Sequence, residues 1–394
     1  MAERLSRREF LTLSAAAGLL AARRGAGQAG RVRPNFVVIQ GEGLGWSSLG
    51  WGSLGWSSLG WTSLGLSLDP MLPAAHSGLA HTPHLAALAS AGMSFARAYA
   101  ASPRCTPSRT ALVTGINPAR LHMTFVNEGG EGRRRAGGDN TPLLPPSPLM
   151  ELPAGTMTSA DWLRASGYAT AHFGKWHVGR SDPRQHGFDE SDGANANGGP
   201  ANLPNPNPAE GQRLTQRGLD FMTRMAAAGK PFYLQLDHYG GKEPADVLPE
   251  TWADIAGRAG AAGRAGAAGH AKEIGSAAVM QDMDAQIGLV LAKISALGLA
   301  DSTYVVYTAD HGTPGSNAPL AGGKGTLWDG GLRVPLLVRG PGIAAGSHCS
   351  QRVVNCDLLP TVLDLAGLTA PLPAAVDGGS LAGLLRNGDQ GSVV

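Results

Sequence analysis

The sequence predicts an α/β protein built on a central, mostly parallel sheet that helices cover on both faces. One observation is a set of apolar runs rich in β-branched residues, typical of strands buried in a parallel sheet; these runs are residues 33–40, 232–236, 304–308 and 335–338. The other is that helix-like stretches alternate with the runs, at residues 83–91, 159–166, 214–228 and 277–297. In such a sheet, functional residues gather at the carboxyl ends of the strands.

The chain of 394 residues exceeds one ordinary core and fits a single large α/β domain with a small appendage. We predict that this domain covers residues 31–385, with a short tail over 386–394. Three cysteines are too few for a disulfide framework. Cys349 and Cys356 could pair or remain thiols, because the six residues between them fix no geometry.

The N-terminus predicts export. The run from Ser6 to Leu11 contains Arg7-Arg8 in a twin-arginine pattern, and a mildly apolar stretch follows it. Small residues after it suit cleavage, so we predict a twin-arginine signal peptide over residues 1–30. A protein with this leader is expected to be bacterial and periplasmic or secreted, with no transmembrane span in the mature chain.

The charge balance argues against nucleic acid as a partner. The whole chain carries a formal charge of +2, but residues 1–30 contribute five Arg and two Glu, which leaves −1 for the remainder. A nucleic-acid-binding domain would be clearly basic.

Two segments have low complexity. A Gly-Trp-x-Ser-Leu-Gly unit recurs four times over residues 45–65, a period far too short for a solenoid. We interpret it as a surface insertion, with a sugar-stacking platform of four tryptophans as the alternative. Residues 257–269, rich in Gly and Ala, predict a second, flexible insertion.

The most informative motif starts at Cys105. The run to Gly115 follows C-x-P-S-R-x-x-L-x-T-G. A buried structural cysteine is the alternative, but such a cysteine would not require the whole pattern. The motif resembles the signature of type I sulfatases, whose cysteine is oxidised to formylglycine by a generating enzyme before export. The resemblance implies the alkaline-phosphatase-like fold and a hydrated aldehyde at position 105 that attacks the sulfur of a sulfate ester.

A second motif, G-K-W-H-x-G, covers residues 174–179. In the family its lysine contacts the formylglycine oxygen, and its histidine takes the proton whose loss expels sulfate. The resemblance therefore assigns these roles to Lys175 and His177, and a histidine suits proton transfer near neutral pH. Outside this context the two residues would more often be a surface pair.

Further family residues follow the third apolar run. Asp310 and His311 occupy the positions of two metal ligands, and Lys324 the position of a lysine that holds sulfate and stabilises the leaving oxygen. Arg109, within the Cys105 motif, is implied to orient the hydrated aldehyde.

The chain departs from the family just after its first strand. Where the family has paired aspartates, this sequence has Glu42 and Gly43. The implied metal site is then Glu42, Cys105, Asp310 and His311, for calcium or another divalent cation. Fewer carboxylates should weaken the binding of the ion.

A second departure follows the run at 232–236. The family histidine that contacts sulfate and protonates the leaving alcohol aligns with Lys242. A lysine binds sulfate but is a poor acid near neutrality. His238 is the candidate that could replace it.

The resemblance predicts a sulfuric ester hydrolase acting on a sulfated small molecule or sulfated glycan. Two alternatives stay open: a non-catalytic homologue that binds sulfated or other anionic ligands, and a phosphate-ester hydrolase of the same superfold. The chain ends soon after Leu381. We therefore expect the family's C-terminal subdomain to be truncated or missing.

Overall fold

The structure is a computed structural model that describes residues 33–44, 80–126, 147–196, 209–240, 246–261, 268–313, 317, 320–368 and 370–393. The predicted signal peptide, the tryptophan repeat and Lys242 lie outside the described residues.

The described strands form one sheet, and most of its pairings are parallel. In chain order the strands are β1 (Asn35–Gly41), β2 (Met93–Tyr99), β3 (Ala169–Gly174), β4 (Glu190–Ser191), β5 (Phe232–Asp237), β6 (Thr303–Ala309), β7 (Arg333–Val334), β8 (Leu336–Arg339) and β9 (Ser347–Val354). Their order across the sheet is β4-β3-β5-β1-β6-β8-β2-β7, and β9 pairs with β2. Strand β1 lies between β5 and β6, parallel to both, so three carboxyl ends meet at one edge.

The described helices are α1 (Pro83–Ser90), α2 (Cys105–Thr114), α3 (Ser159–Ala165), α4 (Ala209–Ala227), α5 (Pro249–Ala261), α6 (Ala268–Ala296), α7 (Asp329–Leu332), α8 (Leu358–Leu365) and α9 (Ala382–Asn387). Successive residues of β1 point to opposite faces: Val37 and Ile39 join the core under α1, α4, α5 and α6, while Phe36 and Val38 join the core under α2, α3, α8 and α9. The predicted fold class, a mostly parallel sheet with helices on both faces, is confirmed.

All four predicted apolar runs are strands, but several strands carried no clear signal. Strand β3 reads Ala-Thr-Ala-His-Phe-Gly, which contains few residues that favour strands. Strand β9 is polar and largely exposed, and the described strand that it pairs with is β2. Such strands form because neighbouring strands supply the pairing.

Both ends of the segment 257–269, predicted to be a flexible insertion, are helical in the structure. Helix α5 continues through Ala261, and α6 begins at Ala268. Alanine favours a helix enough to offset the glycines here. Among the described helices, none combines the length and apolar character needed to cross a membrane.

Candidate active site

The site lies where β1, β5 and β6 end. Glu42 follows β1, Asp237 ends β5 and Asp310 follows β6. The Asp310 amide donates to the Gly41 carbonyl (3.1 Å), and the Gly43 amide donates to Asp310 Oδ1 (2.8 Å). Gly43 has φ = 59°, a left-handed conformation that suits glycine. Strand register therefore places three carboxylates side by side.

Cys105 is the first residue of α2 and is buried. Its Sγ lies 3.2 Å from Lys324 Nζ, 3.2 Å from His311 Nε2 and 3.5 Å from Glu42 Oε1. The N-terminus of a helix carries partial positive charge, which favours an anion at this position.

Arg109 lies one helical turn after Cys105, on the same face of α2, and is 1% exposed. Its Nη2 lies 3.0 Å from Glu42 Oε2 and 3.0 Å from Asp310 Oδ2, and its Nη1 lies 3.1 Å from Asp237 Oδ2. Nη1 also donates to the Lys175 carbonyl at 2.6 Å. A planar guanidinium with five donors can bridge these groups, whereas an ammonium could not.

The second predicted motif enters the site from β3. At Gly174 (φ = 96°), an added Cβ would lie 2.0 Å from the Asp237 carbonyl oxygen, so only glycine allows β3 and β5 to approach this closely. Next in the chain, Lys175 Nζ lies 2.8 Å from Glu42 Oε2. His177 has φ = 50°, and non-glycine residues in this region are uncommon and cluster at functional sites.

Lys324 reaches the site from the loop before α7. Its Nζ lies 3.2 Å from Glu42 Oε1 as well as from Cys105 Sγ. The loop is fixed because the amide of Lys324 donates to the Thr313 carbonyl and that of Gly325 to the Pro103 carbonyl.

Three carboxylates and three cations thus share one buried cluster. Burial opposes ionisation of Glu42, but Lys175 and Lys324 outweigh it and hold its pKa well below the usual range. Burial and the nearby charge of Glu42 raise the pKa of Asp310. Burial opposes the charge of Lys324, yet Glu42 and Cys105 raise its pKa overall.

Cys105 and His177 are both neutral near pH 7. Burial, followed by the charge of Glu42, raises the pKa of Cys105 to about 11. Burial, followed by the charges of Lys175 and Arg109, lowers the pKa of His177 to about 2. An unmodified Cys105 is therefore a thiol and a poor nucleophile, while His177 is an unprotonated base.

The cluster also fits a divalent cation. Ligand atoms of Glu42, Cys105, Asp310 and His311 all lie within 4.8 Å of one another. His311 Nδ1 donates to the Gly312 carbonyl at 2.8 Å, which leaves Nε2 with its lone pair toward the cluster. A metal-binding histidine typically makes such a hydrogen bond through the ring nitrogen that does not bind the metal.

One predicted residue is not part of this cluster. His238 is buried and lines a separate cavity of about 40 Å³ on the α4 and α6 side of the sheet, together with Tyr239, Met283 and Gln286. Lys242 lies outside the described residues.

Sequence reasoning missed Asp237. It accepts hydrogen bonds from Arg109, from Gln235 Nε2 (3.0 Å) and from His172 Nε2 (3.1 Å). Asp237 could have been found from its position, because its carboxylate lies at the carboxyl end of a predicted strand.

The family model described as Sulfatase matches residues 34–368. The chain belongs to the sulfatase family. It is 31% identical over 336 residues to the N-acetylgalactosamine-6-sulfatase of Sus scrofa, covering 75% of this chain and 60% of that protein. It is 30% identical over 397 residues to the steryl-sulfatase of Mus musculus, covering 79% of this chain and 62% of that protein. This sulfatase-family chain thus spans about three fifths of the length of these curated relatives.

Among solved structures, the sulfatase-family chain is similar to Ps i-CgsB, crystallised in complex with k-i-k-neocarrahexaose. The two are 23% identical with a TM-score of 0.68, and the match covers 89% of this chain and 75% of the other. The likeness supports the alkaline-phosphatase-like fold.

Proposed function

We propose that this chain hydrolyses sulfate monoesters, with formylglycine formed from Cys105 as the nucleophile. The observation that carries the proposal is the position of Cys105 Sγ, which lies 3.2 Å from both Lys324 Nζ and His311 Nε2 at the N-terminus of α2. A lysine and a helix N-terminus beside one side chain suit an anionic substrate and an oxyanion that develops during reaction.

Conversion of Cys105 to the aldehyde replaces the thiol, which is a poor nucleophile. A hydrated aldehyde carries two hydroxyl groups. One of them loses its proton and forms the new S–O bond while the S–O bond to the alcohol breaks, and the departing alkoxide takes up a proton to leave as the alcohol. Loss of a proton from the second hydroxyl then reforms C=O and expels sulfate. His177, the histidine of the motif over residues 174–179, is the proposed acceptor of that proton.

The cations have separate tasks. Lys324 holds the sulfate and stabilises charge on the leaving oxygen, and Lys175 contacts the formylglycine oxygen. Arg109 orients the hydrated aldehyde through its fixed position among three carboxylates. His238 lines a different cavity and takes no part in this scheme.

Glu42, Asp310 and His311, with the group at position 105, would hold the divalent cation, which we propose to be calcium. When bound, the ion polarises the sulfate and lowers the pKa of the hydrated aldehyde. Thermal-shift titrations with calcium, magnesium and manganese chloride would identify the ion that stabilises the protein.

For the substrate we propose a sulfated small molecule or sulfated glycan. A relative in fold, Ps i-CgsB, was crystallised in complex with k-i-k-neocarrahexaose. We also propose that a formylglycine-generating enzyme acts on the chain before twin-arginine export to the periplasm or beyond. Cell fractionation after replacement of Arg7 and Arg8 by lysine tests the export step.

The deciding experiment combines peptide mass spectrometry with a chromogenic sulfate-ester assay in added calcium, after co-expression with a generating enzyme. We expect conversion at Cys105 and turnover; Cys105→Ala should lose both, whereas Cys349→Ala, at another buried cysteine, should keep both. Conversion without turnover would favour the non-catalytic homologue, and faster hydrolysis of the matching phosphate ester would favour the phosphatase alternative.

A further inference from the structure

Arg104, the residue before Cys105, has a fixed side chain beside the site. Its guanidinium carbon lies over the Phe125 ring, 4.6 Å from the ring centroid, in a cation–π contact. Its Nη2 lies 3.1 Å from the position that a Cβ on Gly325 would occupy. The guanidinium is therefore held between an aromatic ring and the loop that carries Lys324.

No carboxylate pairs with Arg104 in the described part of the chain. The carboxylates of the buried cluster, Glu42, Asp237 and Asp310, are all engaged by Arg109, and Glu42 also by two lysines. Arg104 is half-buried, with five donors in a fixed plane that matches a sulfate or a carboxylate.

The same loop exposes apolar surface. Leu327 is 81% exposed and Trp328 is 67% exposed, although large apolar side chains are usually covered. Trp328 lies next to Gly322, where an added Cβ would come within 3.0 Å of Trp328 Cβ. The turn at 322–325 therefore lies next to both the Arg104 guanidinium, at Gly325, and the exposed Trp328 side chain, at Gly322.

We propose that Arg104, Leu327 and Trp328 form a subsite for the part of the substrate beyond the scissile sulfate: a sugar ring that carries a second anionic group. The ring packs against Trp328, and the second sulfate or carboxylate accepts hydrogen bonds from Arg104. The inference rests on the proposed function, because it places the scissile sulfate beside Cys105.

Binding to the full chain with Cys105→Ala tests the subsite without turnover. Calorimetry would compare glucosamine 6-sulfate, which has one anion, with D-glucosamine-2-N,6-O-disulfate, which has two. A monosulfated disaccharide with a uronate supplies a carboxylate as the second anion. Arg104→Gln is the test variant, Arg104→Lys keeps the charge without the planar fork, and Arg386→Gln removes an exposed cation on α9 as the control.

We expect Arg104→Gln to weaken the binding of the two-anion ligands by about tenfold and that of the one-anion ligand by less than about twofold. Arg104→Lys should fall between, and Arg386→Gln should change neither. Of the two-anion ligands, the one whose affinity falls more on Arg104→Gln shows whether sulfate or carboxylate is the preferred second anion. Equal losses for one-anion and two-anion ligands, or none, would overturn the subsite.

Failure of the subsite and failure of the proposed function are separable. Arg104-dependent binding of the disulfate by a protein that never hydrolyses a sulfate ester would keep the subsite and reject the function. If the protein hydrolyses monosulfates but the Arg104→Gln variant binds every ligand as the parent protein does, the function is kept and the subsite is rejected. Matching thermal unfolding curves would show that the variants are folded.

Discussion

Arg109 Nη1 and Asp237 Oδ2 lie 3.1 Å apart, and both side chains are 1% exposed. Asp237 thus supplies a carboxylate to a cluster in which position 43 offers only a backbone amide. Its contact holds one end of the guanidinium while Glu42 and Asp310 hold the other. The balance of charge in the site depends on this pair.

Asp237→Asn should lower the free energy of unfolding by about 3 kcal/mol, because it leaves a buried guanidinium with one fewer carboxylate. Urea unfolding measures the change. Asp301→Asn makes the same substitution at an exposed carboxylate and should cost less than about 0.5 kcal/mol. Equal effects of the two variants would contradict a structural role for the Arg109–Asp237 pair.

Gly43→Asp should raise cation affinity by about tenfold, since it adds a carboxylate at the family's ligand position. Aspartate tolerates the φ of 59° found there. Gly43→Asn has similar tolerance without the charge, so it should not raise affinity. Calcium titration by calorimetry distinguishes the two, and no gain with aspartate would mean that the loop is aligned wrongly with the family.

Lys324→Gln should lower kcat for a sulfate ester by about 10²–10³, the usual cost of removing one group that stabilises a developing oxyanion. Lys230→Gln, at an exposed lysine after α4, should leave kcat unchanged. Steady-state kinetics on fully converted protein provides the measurement. A change in KM alone would show that Lys324 binds substrate without stabilising the transition state.

His238 should make stability fall in mild acid. Burial lowers its pKa to about 4 from 6.5, and neither ring nitrogen has a hydrogen-bond partner in the described part of the chain. Between these pKa values the unfolded state binds a proton that the folded state does not, so stability is present above pH 6.5 and is lost as pH falls toward 4.

By about pH 5 this histidine should cost about 2 kcal/mol relative to neutral pH. His238→Gln should reduce the difference in unfolding free energy between about pH 7 and about pH 5 by that amount. His348→Gln, at an exposed histidine on β9, serves as the control and should leave the difference unchanged. If the His238 variant keeps the pH dependence of the unfolding free energy seen in the wild-type protein, another group causes the loss of stability in acid.

Elements with strong local signals could be predicted from the sequence. Continuous apolar runs specified β1, β5, β6 and β8, because strands buried on both faces leave no position for polar residues. The motif around Cys105 and the position of Asp310 after a strand indicated most of the cluster. Weak strands such as β3 and β9 could not be predicted, since their pairing comes from neighbours distant in the chain.

Which candidate residues come into contact depends on how distant parts of the chain pack together. Strand register brings Asp237 to Arg109, 128 residues away in the chain, while the alternation of side chains along β5 and beyond sends His238 to the opposite face. A one-residue step reverses the face that a side chain occupies, and neither local propensity nor motif spacing reveals which carboxylate a distant arginine will contact.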